Sequence, residues 1–204
     1  MTERDQKTSA FIVIDIQNDF CPEGALGVAG GDTIIAGINQ EIERFDHVIL
    51  TQDWHPADHS SFASQYQDRS PYEMITMPYG KQTLWPDHCV QGTHGAEFHK
   101  DLQWTKAELV IRKGYRKTID SYSAFFENDH MTPTGLGGYL KERGIKNITL
   151  AGLATDFCVA YSALDAAAQG FNITVLPDLS RAIDIDGSLQ TMMKQMRNAG
   201  VNFR

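Results

Sequence analysis

A thiol, an ammonium and a carboxylate can together cleave an acyl bond if a fold brings them to one place, and this chain offers one of each in Cys158, Lys113 and Asp15. A cysteine at the start of a helix and near a cation has its thiolate stabilised, and a neighbouring carboxylate can take the thiol proton. Each residue also has a plainer use: Asp15 could hydrogen-bond a loop, Lys113 could be solvated at a strand end, and most unpaired cysteines are small buried hydrophobes. What favours chemistry is their common position relative to the strands described below.

A second group suits a metal ion. Asp53 and His55 flank Trp54 in an extended segment, so their side chains point the same way, and Asp87-His88 lies further along. Asp53, His55 and His88 would leave open positions on a divalent ion, the pattern of a catalytic or substrate-binding metal rather than a structural one. An Asp and two His suit zinc first, with manganese or iron as alternatives. His94 and His99 lack such spacing and read as surface residues.

The elements that must position these groups alternate. Apolar runs at Phe11–Ile16, Val48–Leu50, Leu109–Ile111, Ile148–Ala151 and Ile173–Leu176 read as strands. Helical spacing appears at Ile34, Ile35, Ile38, Ile42 and Phe45, and helices are predicted at Gly135–Arg143, Asp156–Gln169 and Ser188–Asn198. The fold class is α/β: a mostly parallel central sheet flanked by helices on both faces. Asp15, Asp53, Lys113 and Cys158 then fall at or after C-terminal strand ends, the edge where open parallel sheets place ligand sites. The chain lacks the glycine fingerprint of a dinucleotide-binding fold after its first strand, where Gln17-Asn18-Asp19 stands. Between Trp54 and Trp104 the periodicity dissolves into a segment rich in His, Pro, Gly and aromatics, and loops that long are usually functional.

With 204 residues and no linker-like run, one domain over 1–204 is expected. The formal charge of −8 with scattered positive residues supplies no basic face, so a nucleic-acid partner is not expected. The polar N-terminus leads into an apolar stretch too short for a signal or a membrane span, which makes a cytoplasmic location the expectation. Three widely spaced cysteines argue against a disulfide framework.

The segments VIDIQNDFCPEGAL, TQDWHPADHSSFAS, WPDHCVQGTHGAEFH, KGYRKTIDSYSAFFEN and GLATDFCV, in this order and register, resemble the bacterial and fungal nicotinamidases of the isochorismatase-like hydrolase superfamily. The resemblance implies a three-layer α/β/α fold and hydrolysis of nicotinamide to nicotinate and ammonia, in NAD salvage, through a thioester on Cys158; pyrazinamide is an expected second substrate. It implies an Asp15, Lys113, Cys158 triad and a divalent metal on Asp53, His55 and His88, with His59 or Ser60 as further shell members in some relatives. It also implies a pyridine slot lined by Phe20, Trp85 and Tyr122 with Leu26 nearby, and an oxyanion hole at Ala154 or Thr155 and Cys158, shaped by a cis peptide before Ala154 or Thr155. Self-association is common among such relatives, so a homo-oligomer is possible. Phe157 departs from the pattern, standing where many relatives carry Tyr or His.

Rival readings are a carbamoyl or ureido hydrolase on the same triad, an isochorismatase and a non-catalytic thiol sensor. The Asp53/His55/His88 set argues against the first, because the resemblance implies that those relatives lack this metal site. An isochorismatase has no need of a nucleophilic cysteine, and retention of both residue sets argues against the sensor.

Overall fold

The computed structural model describes residues 6–204. A six-stranded sheet is built from β1 (Ser9–Ile14), β2 (His47–Asp53), β5 (Leu109–Lys113), β6 (Asn147–Leu153), β7 (Asn172–Arg181) and β8 (Asn202–Phe203), while β3 (Met74–Met77) and β4 (Gly80–Thr83) form a separate hairpin. The order is β5-β2-β1-β6-β7-β8, and every neighbouring pair is parallel. The sequence SAFIVI of β1 is buried throughout because it lies mid-sheet with both faces covered. Ala10, Ile12 and Ile14 enter one core, and Phe11 and Val13 enter the other. Each of the larger side chains contributes roughly 1.5–3 kcal/mol by leaving water.

Helix α1 (Ile35–Ile42) covers the Phe11 face through Ile35, Ile38 and Ile42. The other face is covered by α2 (Leu136–Glu142), α3 (Ala160–Ala168) and α4 (Ser188–Asn198). In α4 the buried pair Met192 and Met196, four residues apart, forms the inward stripe. The result is the three-layer α/β/α arrangement expected from the alternation of elements. Among the described residues no helix is long and apolar enough to cross a membrane.

Several boundaries differ from the periodicity. The first strand runs Ser9–Ile14 rather than Phe11–Ile16, because Asp15 turns the chain with a positive φ of 48° and its N–H reaches Thr51 Oγ1 at 3.1 Å. β2 and β5 run on to Asp53 and Lys113, which are register partners. The helix expected at Asp156–Gln169 is divided into a π-helical turn over Thr155–Val159 and then α3. The Trp54–Trp104 segment is ordered by the β3–β4 hairpin and short 3₁₀ turns. At the end of β6, Gly152 has φ 131°, and a Cβ there would stand 2.1 Å from Ile14 O. Only glycine permits that approach to β1, which brings the turn carrying Cys158 toward Asp15.

Candidate active site

The C-terminal edge of the sheet gathers the polar residues. Lys113, at the end of β5, is 1% exposed. Its Nζ lies 2.8 Å from Asp15 Oδ2 and 3.5 Å from Cys158 Sγ, and it donates to Asp53 Oδ1 at 2.9 Å and Ser121 O at 3.2 Å. One ammonium thus joins the two groups that the sequence singled out. Burial alone would lower its pKa, but the Asp15 and Asp53 carboxylates outweigh it and hold Lys113 well above the ordinary range. Asp15 accepts from Thr51 Oγ1 at 2.6 Å and is fully buried. Burial pushes its carboxyl up, with Lys113 pulling the other way. Burial likewise pushes the Cys158 thiol well up against the pull of Lys113, and a hydrogen bond with Asp15 reinforces the rise. The resting cysteine is therefore a thiol facing a carboxyl that can take its proton.

Cys158 is held in the π-helical turn that follows β6. The Leu153–Ala154 peptide is cis, and Ala154 O accepts from Phe157 N and Val159 N, both at 3.1 Å. Asp156, in the same turn, accepts from Ile183 N at 3.0 Å and Asp184 N at 2.8 Å, and from the Ser188 hydroxyl. These bonds fasten the turn to the loop after β7.

Asp53, His55 and His88 converge: Asp53 Oδ2 is 3.0 Å from His55 Nε2 and 3.4 Å from His88 Nε2, and all three residues are buried. His55 Nδ1 lies 2.9 Å from Gly114 O and His88 Nδ1 lies 2.8 Å from Pro86 O. A carbonyl can only accept, so each Nδ1 carries the proton and each Nε2 keeps a lone pair on the side where the three ligand atoms converge and a metal ion would accept it. Despite burial, neighbouring positive charge, that of Lys113 included, holds the Asp53 carboxyl well below the usual range. An anionic oxygen and two imidazole nitrogens, each oriented from behind, fit a divalent metal ion. His59 and Asp120 make a second triplet with His55. His59 Nδ1 is engaged by Ser61 Oγ at 2.7 Å and its Nε2 reaches Ile119 O at 3.3 Å, while the Ser60 hydroxyl is buried without a hydrogen-bond partner. His94 is exposed as expected, whereas His99 is half-buried, its Nδ1 accepting from Asp101 N at 3.3 Å.

A small cavity connects the two groups. Phe20, Leu26, Trp85, Tyr122 and Ala154 line it, with Cys158, Asp53 and His88. Trp85 Nε1 donates to Tyr122 Oη at 3.1 Å, as does Gln82 Nε2 at 2.8 Å, which fixes two of the walls. Thr155 is buried but is not part of the lining. Three lining residues escaped the sequence reading of the site. Phe157 was noted only as a departure, and Ile183 lies in a loop without periodicity. Asp120 is buried and accepts from Gln82 Nε2 at 2.8 Å; its one signal was its place two residues before Tyr122.

Fold and site together define a class: a three-layer α/β/α protein whose parallel sheet carries a buried Asp–Lys–Cys cluster beside an Asp/His₂ group. This chain belongs to the isochorismatase family, whose profile, described as Isochorismatase domain, matches residues 9–203. It is 54% identical over 192 residues to the nicotinamidase of Acinetobacter baylyi, covering 94% of this chain and 90% of that protein. Among solved structures it is similar to an Acinetobacter baumanii nicotinamidase/pyrazinamidase, with a TM-score of 0.96, 54% identity and coverage of 97% and 95% of the two chains. A Pyrococcus horikoshii pyrazinamidase in complex with zinc has a TM-score of 0.78 at 33% identity, covering 97% and 98%.

Proposed function

We propose that the chain is a metal-dependent nicotinamidase that hydrolyses nicotinamide to nicotinate and ammonia, accepts pyrazinamide, and serves NAD salvage. The observation that carries the reading is an aromatic cavity lined together by the Cys158 thiol, Asp53 and His88. A flat pyridine carboxamide matches it, with the ring between Phe20, Trp85 and Tyr122. Asp53, His55 and His88 would hold the divalent ion, zinc first among the candidates, which supplies a Lewis acid for the pyridine nitrogen and so orients the ring.

The chain's own residues supply the bond-making steps. Asp15 takes the Cys158 proton as the sulfur attacks the carboxamide carbon, and a carboxyl raised by burial suits that exchange. The first N–H groups of a helical turn lack intrahelical acceptors. Those of Cys158 and of Ala154 or Thr155 stabilise the tetrahedral oxyanion, an effect worth about 3 kcal/mol per donor. Asp15 then returns the proton to departing ammonia, leaving a thioester on Cys158. Water deprotonated by Asp15 attacks that thioester, releases nicotinate and restores the thiol. Lys113 stays charged throughout, keeping the Asp15 carboxylate and the sulfur in register.

The test is ammonia release from nicotinamide by folded, zinc-loaded protein, with and without a strong chelator. Release that falls on chelation and returns with added metal is expected. Its absence from folded, metal-loaded protein sinks the reading and moves the search to carbamoyl and ureido compounds.

Gly114→Ala provides a separate check on the ligand group. The glycine has φ 65°, and a Cβ would lie 2.4 Å from His55 Cε1, so the methyl must displace the imidazole. A zinc titration against a competing chelator is expected to show affinity weakened by about 10–100-fold, the usual cost of disturbing the groups behind a ligand. Unchanged zinc affinity would remove His55 from the ligand set.

A further inference from the structure

We propose that Phe157 sets the upper size limit on the substrate by separating the catalytic cavity from a second, outer groove, which accepts the extra ring of a benzo-fused heteroaromatic carboxamide once the partition is removed. The inference rests on the amidase reading above and deepens it. Tyr122 and Phe157 belong to the lining of both hollows. On the inner side lie Cys158, His88 and Trp85; on the outer side lie Tyr72, Met74, Tyr161 and Met192, with Lys81 and Asp186 at hand. The inner cavity leaves only about 20 Å³ free, whereas the outer groove leaves about 570 Å³.

The two shared walls differ in how they are held. Tyr122 is fixed through its hydroxyl by Trp85 and Gln82. Phe157 is a hydrocarbon held by apolar packing alone, edge-on to Trp85 at 4.9 Å and to Tyr122 at 5.5 Å and against both cores, and it is half-buried. Removing its ring breaks no hydrogen bond. Its backbone stays fastened, because Phe157 N donates to Ala154 O and the adjacent Asp156 carboxylate grips the Ile183–Ser188 loop. Truncation therefore opens a passage between the hollows without releasing the turn that carries the thiol. The reaction balances as before: carboxamide and water become carboxylate and ammonia.

The test compares wild type, Phe157→Ala and Phe157→Leu on nicotinamide, quinoline-3-carboxamide and isoquinoline-4-carboxamide. The two bicycles place the added ring on different edges of the same pyridine. For at least one of them, kcat/KM relative to nicotinamide is expected to rise about tenfold or more in Phe157→Ala, with the leucine variant intermediate. Ratios within about twofold of wild type for both bicycles in both variants overturn the proposal. If wild type releases no ammonia from nicotinamide, the amidase reading fails, and the partition is judged from tryptophan quenching by the two bicyclic carboxylates. Tighter binding to Phe157→Ala than to wild type then supports it, and equal Kd values overturn it.

Discussion

Cys158→Ala is expected to lower ammonia release from nicotinamide by on the order of 10⁴-fold, because removing the nucleophile of a covalent mechanism leaves only what positioning and oxyanion donors supply. The variant should stay folded. The residue borders a cavity on one side of its core, and alanine keeps the backbone bonds of the turn. Cys158→Ser should be almost as inactive, since a hydroxyl beside the raised Asp15 carboxyl ionises far less readily than a thiol. Ammonia release at saturating substrate, beside thermal melts and zinc content, makes the measurement. Retention of more than about a tenth of wild-type kcat would mean that water attacks the carboxamide directly and that the thioester route is wrong.

The parts of this architecture that were legible in the chain are those with a strong local signal. Buried parallel strands are almost continuously apolar, so β1 and β6 stood out in Phe11–Ile16 and Ile148–Ala151, and α4, ending before Gly200, was placed at both of its ends. Other elements left weak traces. Residues Met74–Met77 of β3 alternate only between exposed and half-buried, so no apolar face announces the strand. Two-residue β8 is too short for any period. Strand β7 runs on through Pro177 to Arg181, beyond the apolar run Ile173–Leu176; the register shift opposite Leu150–Gly152 accommodates the proline where a regular ladder would not. That longer strand carries the chain on to Ile183, which is why this part of the cavity wall went unseen.

At the site, Asp15, Asp53, Lys113 and Cys158 could be placed at one edge from strand ends alone. Two details depend on three-dimensional packing and had no sequence counterpart. One is that a single ammonium touches both residue groups; the other is that Asp120 approaches His55 from a loop, with 4.0 Å between Oδ1 and Nε2.

Lys113→Met should remove activity and much of the stability together, and the pH dependence of the loss distinguishes its cause. Methionine fills a similar volume but leaves Asp15 and Asp53 buried without their shared cation. Stripping one partner from a buried ion pair typically costs about 3–5 kcal/mol, because the remaining charge has no water to return to. Burial already raises the Asp15 carboxyl, and Lys113 is what pulls it back, so in the variant it rises further. An acid whose folded-state pKa exceeds its unfolded value of about 4 costs nothing while both states are protonated; its penalty grows as pH rises above the unfolded value and levels off once pH passes the folded one. The stability deficit relative to wild type should therefore be smallest near pH 4 and largest at neutral pH, as read by urea melts across that range. Lys113→Arg should not restore activity, since a planar guanidinium cannot direct single donors to two carboxylates, a sulfur and the Ser121 carbonyl from one nitrogen. A deficit that is flat with pH would indicate lost packing, and a methionine variant with wild-type turnover would remove Lys113 from the chemistry altogether.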